Sequence, residues 1–327
     1  MASIFSRLNQ RAGALACVCL ALALPALAQS PTPPTAPSST TPAPLAVVVL
    51  GSGGPGATGR AGSSYLVLLD GVPRILVDAG PGSFARLGEA HLSLARTDIV
   101  LLTHLHIDHV GELPGLFKAR AVSGGGAIHF RVYGPDGRRG GGDDAAFPST
   151  SRLMRLLFDK QGAFGYLRDF SSPMTIQATD IRTAPAPARA PQVLLAEGGL
   201  TIRAIAGHHR DAPAVIYRID YAGKSVTFSG DIDAAGLPGL RKIARGTDLL
   251  VFNSVVLDPP DSPAILYTLH TPPKAIGELA RDAGAGQLVL SHLSPVIDRQ
   301  HDAVGASIAQ AYQGPVSYAS DGAVLLP

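Results

Sequence analysis

The stretch Leu101–Leu116, LLTHLHIDHVGELPGL, decides how this chain is read. His104, His106, Asp108 and His109 stand within six residues of one another. The apolar run Ile99–Leu102 leads straight into them, and ELPGLFKARA, which reads as a short helix, follows. If the chain stays extended through the first two histidines, both point to the same side, because alternate residues of a strand share a face. His104 and His106 can then grip one metal ion. Asp108 and His109 turn away on the following loop and can hold a second. Imidazole and carboxylate are donors suited to Zn2+, and also to iron or manganese. A chance surface cluster of histidines has no reason to sit between a buried strand and a helix.

Other acids and histidines follow strand ends in the same way. Asp78 comes after RILV, His209 after LTIRAIAGH, Asp231 after VTFSG and His292 after LVLS. Loops at the strand ends of one sheet edge are where ligands and chemistry collect in layered α/β folds. Taken alone, a strand-end histidine is more often structural. Together with the first motif these residues make up a count for two ions, with Asp231 placed to bridge them and His209 and His292 completing the two spheres. His208 competes with His209 for its place.

The rest of the chain supplies the frame. LAVVVLGSGG is a strand running into a glycine-rich loop. SSYLVLLDGVPRILVDAG reads as a hairpin turning at Asp70-Gly71. DIVLLT and AIHFRVYGP are further strands. Residues 144–170 look helical and residues 171–199 irregular. LTIRAIAGHH, AVIYRID and KSVTFSGD give three strands, the last two joined at Ala222-Gly223. DLLVFNS, QLVLSH and PVSYAS are later strands, separated by helices over 272–283 and 302–312. Strands alternating with helices indicate an α/β or α+β layered sandwich.

The N-terminus reads differently. Arg7 and Arg11 precede the apolar run AGALACVCLALALPALA, which ends in Ala26-Leu27-Ala28. This is the pattern of a secretory signal peptide, residues 1–28, cut after Ala28. A spanning helix needs about 20 apolar residues, and this run carries Pro25. Residues 29–44, QSPTPPTAPSSTTPAP, have the composition of an extended, solvated tether, so folding should begin near Leu45 and continue to Pro327. The expected location is periplasmic or secreted, with no membrane attachment after cleavage. Cys17 and Cys19 would leave with the signal, so neither a disulfide nor a thiolate ligand is expected in the mature chain. Removing Arg7 and Arg11 from 27 basic residues leaves 25, against 25 acidic. A formally neutral chain lacks the basic footprint of a nucleic-acid binder. Apolar residues make up 46% and charged residues only 16%, enough for a large core.

These motifs resemble the metallo-β-lactamase superfamily, and within it the branch of ribonuclease Z and related phosphodiesterases and arylsulfatases. The resemblance covers nearly all of residues 45–327. VLGSGGPGATGRAGSSYLV is similar to the branch's opening strand and loop, and VDAGPG to its first motif. THLHIDHVGELPGL is similar to the second motif, and HHRDAPAVIYRID to the segment that makes His209, rather than His208, the ligand. FSGD matches the bridging aspartate, HTPPKAIGELARDAGAGQLVLSHLSP resembles the segment that carries His270 and His292, and GPVSYASDGAVLLP resembles the closing strands.

The resemblance implies a single-domain four-layer αβ/βα sandwich and two Zn2+ ions per chain. His104, His106 and His209 would hold the first ion, and Asp108, His109 and His292 the second. Asp231 and a water or hydroxide would bridge them, and Asp78 would orient a ligand histidine. Asp108 and His270 would be the catalytic residues, His270 donating a proton or stabilising charge on the leaving side. The implied activity is a phosphodiesterase-like zinc hydrolase acting on a small ester by a metal-bound hydroxide. A sulfatase, a lactonase, a β-lactamase-type enzyme or an inactive metal-binding module would share the scaffold. One departure stands out. The branch carries Glu, paired with the counterpart of His270, where this chain has Asn253. No basic Gly/Pro-rich arm is present either, so nucleic acid is not the expected partner; a homodimer is compatible with the sequence.

Overall fold

The computed structural model describes residues 42–56, 58–124, 126–140, 146–170, 172–184, 190–210 and 212–327. The signal-peptide reading, and the tether up to residue 41, lie outside the described residues. Residues 42–327 form one compact unit.

Strand β1 (Leu45–Gly51) is followed by the hairpin of β2 (Ser64–Leu69) and β3 (Val72–Val77). Asp70 and Gly71 both have positive φ, 50° and 77°, the turn geometry expected for a two-residue hairpin loop. Helix α1 (Ser83–Glu89) leads to β4 (Ile99–Leu101), then α2 (Ile107–Val110), α3 (Leu113–Val122) and β5 (Ile128–Pro135). Helix α4 (Thr150–Phe158) precedes β6 (Met174–Ile181), β7 (Gln192–Glu197), β8 (Leu200–Ala206), β9 (Val215–Tyr221) and β10 (Lys224–Phe228). The chain closes with α5 (Leu237–Ile243), β11 (Leu249–Asn253), α6 (Pro273–Ala283), β12 (Gln287–Ser291), α7 (Pro295–Asp298), α8 (His301–Ala309), β13 (Val316–Tyr318) and β14 (Val324–Leu325).

The described strands form two seven-stranded sheets, ordered β14-β1-β2-β3-β4-β5-β6 and β13-β12-β11-β10-β9-β8-β7. Their inner faces meet in one core and each outer face is covered by helices. Alternation along the strands makes this possible. Tyr65, Val67 and Leu69 of β2 enter the core between the sheets, while Leu66 and Leu68 face the layer of α1, α3 and α4. Leu249 and Val251 of β11 point inward, while Leu250 and Phe252 face α5, α6 and α8. The result is the expected four-layer αβ/βα sandwich, with the central strands buried on both faces as near-continuous apolar runs.

Two segments differ from the expectation. Within 144–170 the described helix is only α4, followed by a 3-10 turn at Gly165–Arg168. Residues 171–199 contain β6 and β7, one at the edge of each sheet. Edge strands carry polar residues on their open side, as in MTIQATDI and QVLLAE, so they lack the apolar run that marks a central strand. Among the described residues no helix is long and apolar enough to cross a membrane.

Helix α3 is the brace behind the histidine loop. Phe117 on α3 stacks between Phe130 of β5 (centroids 4.1 Å apart) and Phe158 of α4 (4.8 Å), and is 1% exposed. Phe117→Ala should therefore destabilise the fold by about 3–5 kcal/mol. Chemical denaturation checks this; a loss under about 1 kcal/mol would mean the layer repacks around the gap.

Candidate metal centre

The parallel strands β3-β4 and β10-β11-β12 deliver their C-terminal loops to one place, where β8 delivers its own. The loop after β3 begins at Asp78, whose φ is 55°. A non-glycine residue in that region is uncommon and is held by its surroundings. Here the surroundings are specific. Asp78 Oδ1 accepts from the Thr103 backbone N–H at 2.7 Å, and Oδ2 accepts from the Thr103 hydroxyl at 2.7 Å. Oδ2 also accepts from His109 Nδ1 at 2.8 Å. The next loop packs equally close: a Cβ on Gly80 would lie 2.3 Å from the Asp108 carbonyl oxygen, so only glycine fits. Thus one short segment fixes both the start of the histidine loop and the tautomer of His109.

That tautomer matters. With Nδ1 facing Asp78, Nε2 of His109 points inward, fully buried and without a hydrogen-bond partner. Nearby, His292 Nε2 lies 3.1 Å from Asp108 Oδ2, and the His109 and His292 rings stack with centroids 5.0 Å apart. His292 also has a positive φ, 54°. Asp108, His109 and His292 form one group of convergent donor atoms.

His104, His106 and His209 form another. His104 Nε2 and His106 Nδ1 are 3.1 Å apart. Two nitrogens on one tetrahedral zinc, each about 2.0–2.1 Å from it, are separated by about 3.3 Å, so the spacing suits a shared ion. His209 donates Nδ1–H to the Leu269 carbonyl at 2.7 Å, which leaves Nε2 for ligation. Its neighbour His208 turns the other way: its Nδ1 is 2.7 Å from Asp233 Oδ2, which also accepts from the Arg210 backbone N–H at 3.0 Å. The competition between the two histidines is resolved by the strand exit, which sends adjacent side chains to opposite sides.

Asp231 joins the two groups. Its Oδ2 lies 3.4 Å from His292 Nε2, 3.7 Å from Nε2 of both His109 and His209, and 3.9 Å from His104 Nε2 and His270 Nδ1. Burial pushes its pKa up, but His292, His109 and the other imidazoles outweigh that and hold it well below the usual carboxylate range. Burial also acts to raise Asp108, and the hydrogen bond from His292 with the His109 charge brings it down. Burial first, and then the neighbouring imidazoles, hold His104 well below and His106 below the ordinary imidazole value, against the opposing pull of Asp231. For His109 the carboxylates of Asp78, Asp231 and Asp108 overcome burial and lift the pKa to about 9. His270 is lowered to about 4, chiefly by burial, and its Nδ1 is buried without a partner.

The donor set fits a pair of metal ions. It consists of nitrogen and oxygen only, since both cysteines precede residue 20. It includes a buried, orphaned Nε2, and imidazoles kept neutral by burial, as ligation requires. All seven residues expected as ligands, with Asp78 and His270 beside them, are brought together. Thr103, Asp233 and the Leu269 carbonyl were not expected; Thr103 directly precedes His104, but its partner lies 25 residues away. Asn253 is also differently employed, donating its amide to Asp231 Oδ1 at 2.7 Å.

The family model of the metallo-beta-lactamase superfamily matches residues 57–269. The chain belongs to that superfamily. It is 29% identical over 285 residues to ribonuclease Z of Mycobacterium avium (strain 104), covering 84% of this chain and 95% of that one. Ribonuclease Z of Mycobacterium bovis (strain BCG / Pasteur 1173P2) is 28% identical over the same coverage. Solved structures share the fold. YhfI of Bacillus subtilis has a TM-score of 0.61 at 23% identity, covering 86% of this chain and 99% of its own. The short form of human tRNase Z gives 0.63 at 20%, with the same coverage. The protein is thus a metallo-β-lactamase-fold hydrolase homologous to ribonuclease Z, with histidine and aspartate clusters able to bind metal.

The raised pKa of His109 sets a pH dependence. Below about 9 the metal-free ring holds a proton on Nε2 that a metal must displace. Affinity at the Asp108–His109–His292 group should therefore climb by about tenfold per pH unit on this account and level off as that pKa is passed. Metal titration between pH 6 and pH 8 checks this; constant affinity would show that His109 is already neutral.

Proposed function

We propose that this chain is an exported dinuclear zinc hydrolase that cleaves phosphodiester bonds. The observation that carries the proposal is the single oxygen, Asp231 Oδ2, standing between two complete donor groups. His104, His106 and His209 would hold one zinc and Asp108, His109 and His292 the other, with Asp231 shared. A metal pair held there would supply Lewis acidity and would lower the pKa of a water molecule.

The chain's own residues do the rest. Asp78 and the Leu269 carbonyl hold the Nδ1–H of His109 and His209, so in each ring Nε2 is the nitrogen turned inward and left for ligation. The Asp108 carboxylate is ionised at the mouth of the centre, with its side chain 13% exposed, and can take the proton of the attacking water. His270 is kept neutral by burial and can offer a ring N–H to an oxygen of the ester. Lacking a full positive charge at neutral pH, it suits leaving groups that need a hydrogen bond rather than a complete proton.

The ribonuclease Z relatives support a phosphodiester as the bond attacked. As ribonucleases by name, they also weigh against setting nucleic acid aside, and RNA is the second reading. The neutral charge balance of residues 29–327 and the N-terminal segment Arg7–Ala28 favour a small diester outside the cytoplasm.

The test is a panel run on the metal-loaded chain: a bis-nitrophenyl phosphate, a nitrophenyl sulfate, a lactone, a cephalosporin and a precursor tRNA. Turnover should be highest on the phosphodiester, and His270→Ala should lower it while leaving the metal content intact. Preference for the sulfate, lactone or cephalosporin would overturn the phosphodiester reading, and efficient processing of the tRNA would replace the small substrate with RNA.

A further inference from the structure

Asn253 closes β11 in the middle of its sheet, between the strand that leads to Asp231 and the strand that leads to His292. It is 4% exposed. Its backbone is pinned on both sides: Asn253 pairs in register with Ser291 of β12, and its N–H donates to the Ser229 hydroxyl at 3.1 Å. From this platform its side-chain amide donates to Asp231 Oδ1 at 2.7 Å, inside the protein. A carboxylate only accepts, so the amide must face it with nitrogen.

The consequence lies at the other oxygen. With Oδ1 occupied, the contacts to His104, His109, His209, His270 and His292 all fall on Oδ2. A carboxylate free to rotate could chelate one ion with both oxygens, and would then abandon the second. We infer that Asn253 is a positioning residue that holds Asp231 to a single bridging oxygen. The same employment leaves His270 Nδ1 with no acid at position 253 to pair with, in keeping with its buried, unpartnered state. Asn253 touches no reacting atom in this arrangement. It acts through Asp231, and its loss should appear first in metal binding.

This inference rests on the metal reading above, and its test separates the two. Zinc-loaded full-length protein should be crystallised, and Co2+ titrated into wild type and Asn253→Leu, a variant of similar shape without the donor. In the wild-type crystal, Oδ2 alone should lie between the ions, with Oδ1 still on Asn253. Asn253→Leu should weaken Co2+ binding by about 10–100-fold and dim the visible absorption bands as the carboxylate swings into chelation and the coordination number rises. Asp231 chelating one ion with both oxygens in the wild-type crystal would overturn the inference, whether or not Asn253→Leu folds. So would Co2+ affinity and spectrum unchanged in the variant. Failure of the wild-type protein to bind any metal would remove the metal reading itself, and this one with it.

Discussion

Everything in this structure is arranged around one carboxylate oxygen in a dry place. Asp231 Oδ2 is 3.4–3.9 Å from five imidazole nitrogens and within ordinary hydrogen-bond length of none of them. Buried polar groups normally find partners, because leaving one unmade costs about 1–3 kcal/mol. Here His109 Nε2 and His270 Nδ1 have none. A cluster of donor atoms left without partners at this spacing is poor protein interior and a good cage for cations.

The scaffold holds that cage against its own cost. Asp78 and His292 are kept in the left-handed region, and Gly230, at φ 58°, sits where a Cβ would meet Thr103 Cβ at 2.7 Å. The two sheets are tied together just behind the site. Val215 N–H donates to the Thr103 carbonyl at 2.7 Å, and the Tyr217 hydroxyl to the Leu102 carbonyl at 3.0 Å. On the other flank Asp321 accepts from Ser52, Ala61 and Arg86, so the C-terminal segment clamps the glycine-rich loop whose Gly54 lies against His292. Backbone strain at Asp78 and His292 is sustained by contacts from distant parts of the chain.

This division explains what was legible in the sequence. The candidate metal-binding residues were, because His-x-His-x-Asp-His after an apolar run is a local pattern and each remaining donor follows a strand of its own. The central strands were, because burial on both faces leaves an unbroken apolar run. The edge strands β6 and β7 were not, because half their residues answer to solvent. The supporting contacts were not either: Ser52 and Asp321 are 269 residues apart, and nothing local in either announces the other. Asn253 shows both sides. Its departure from the family pattern was visible, and read only as a missing partner for His270; its hydrogen bond to Asp231 depends on two neighbouring strands ending in register.

The central claim is that these seven side chains exist to hold two ions. Elemental analysis of full-length protein purified without chelator tests it most directly. The account predicts about two equivalents of zinc per chain. Protein that carries no metal, and takes up none when zinc is titrated in, would contradict it.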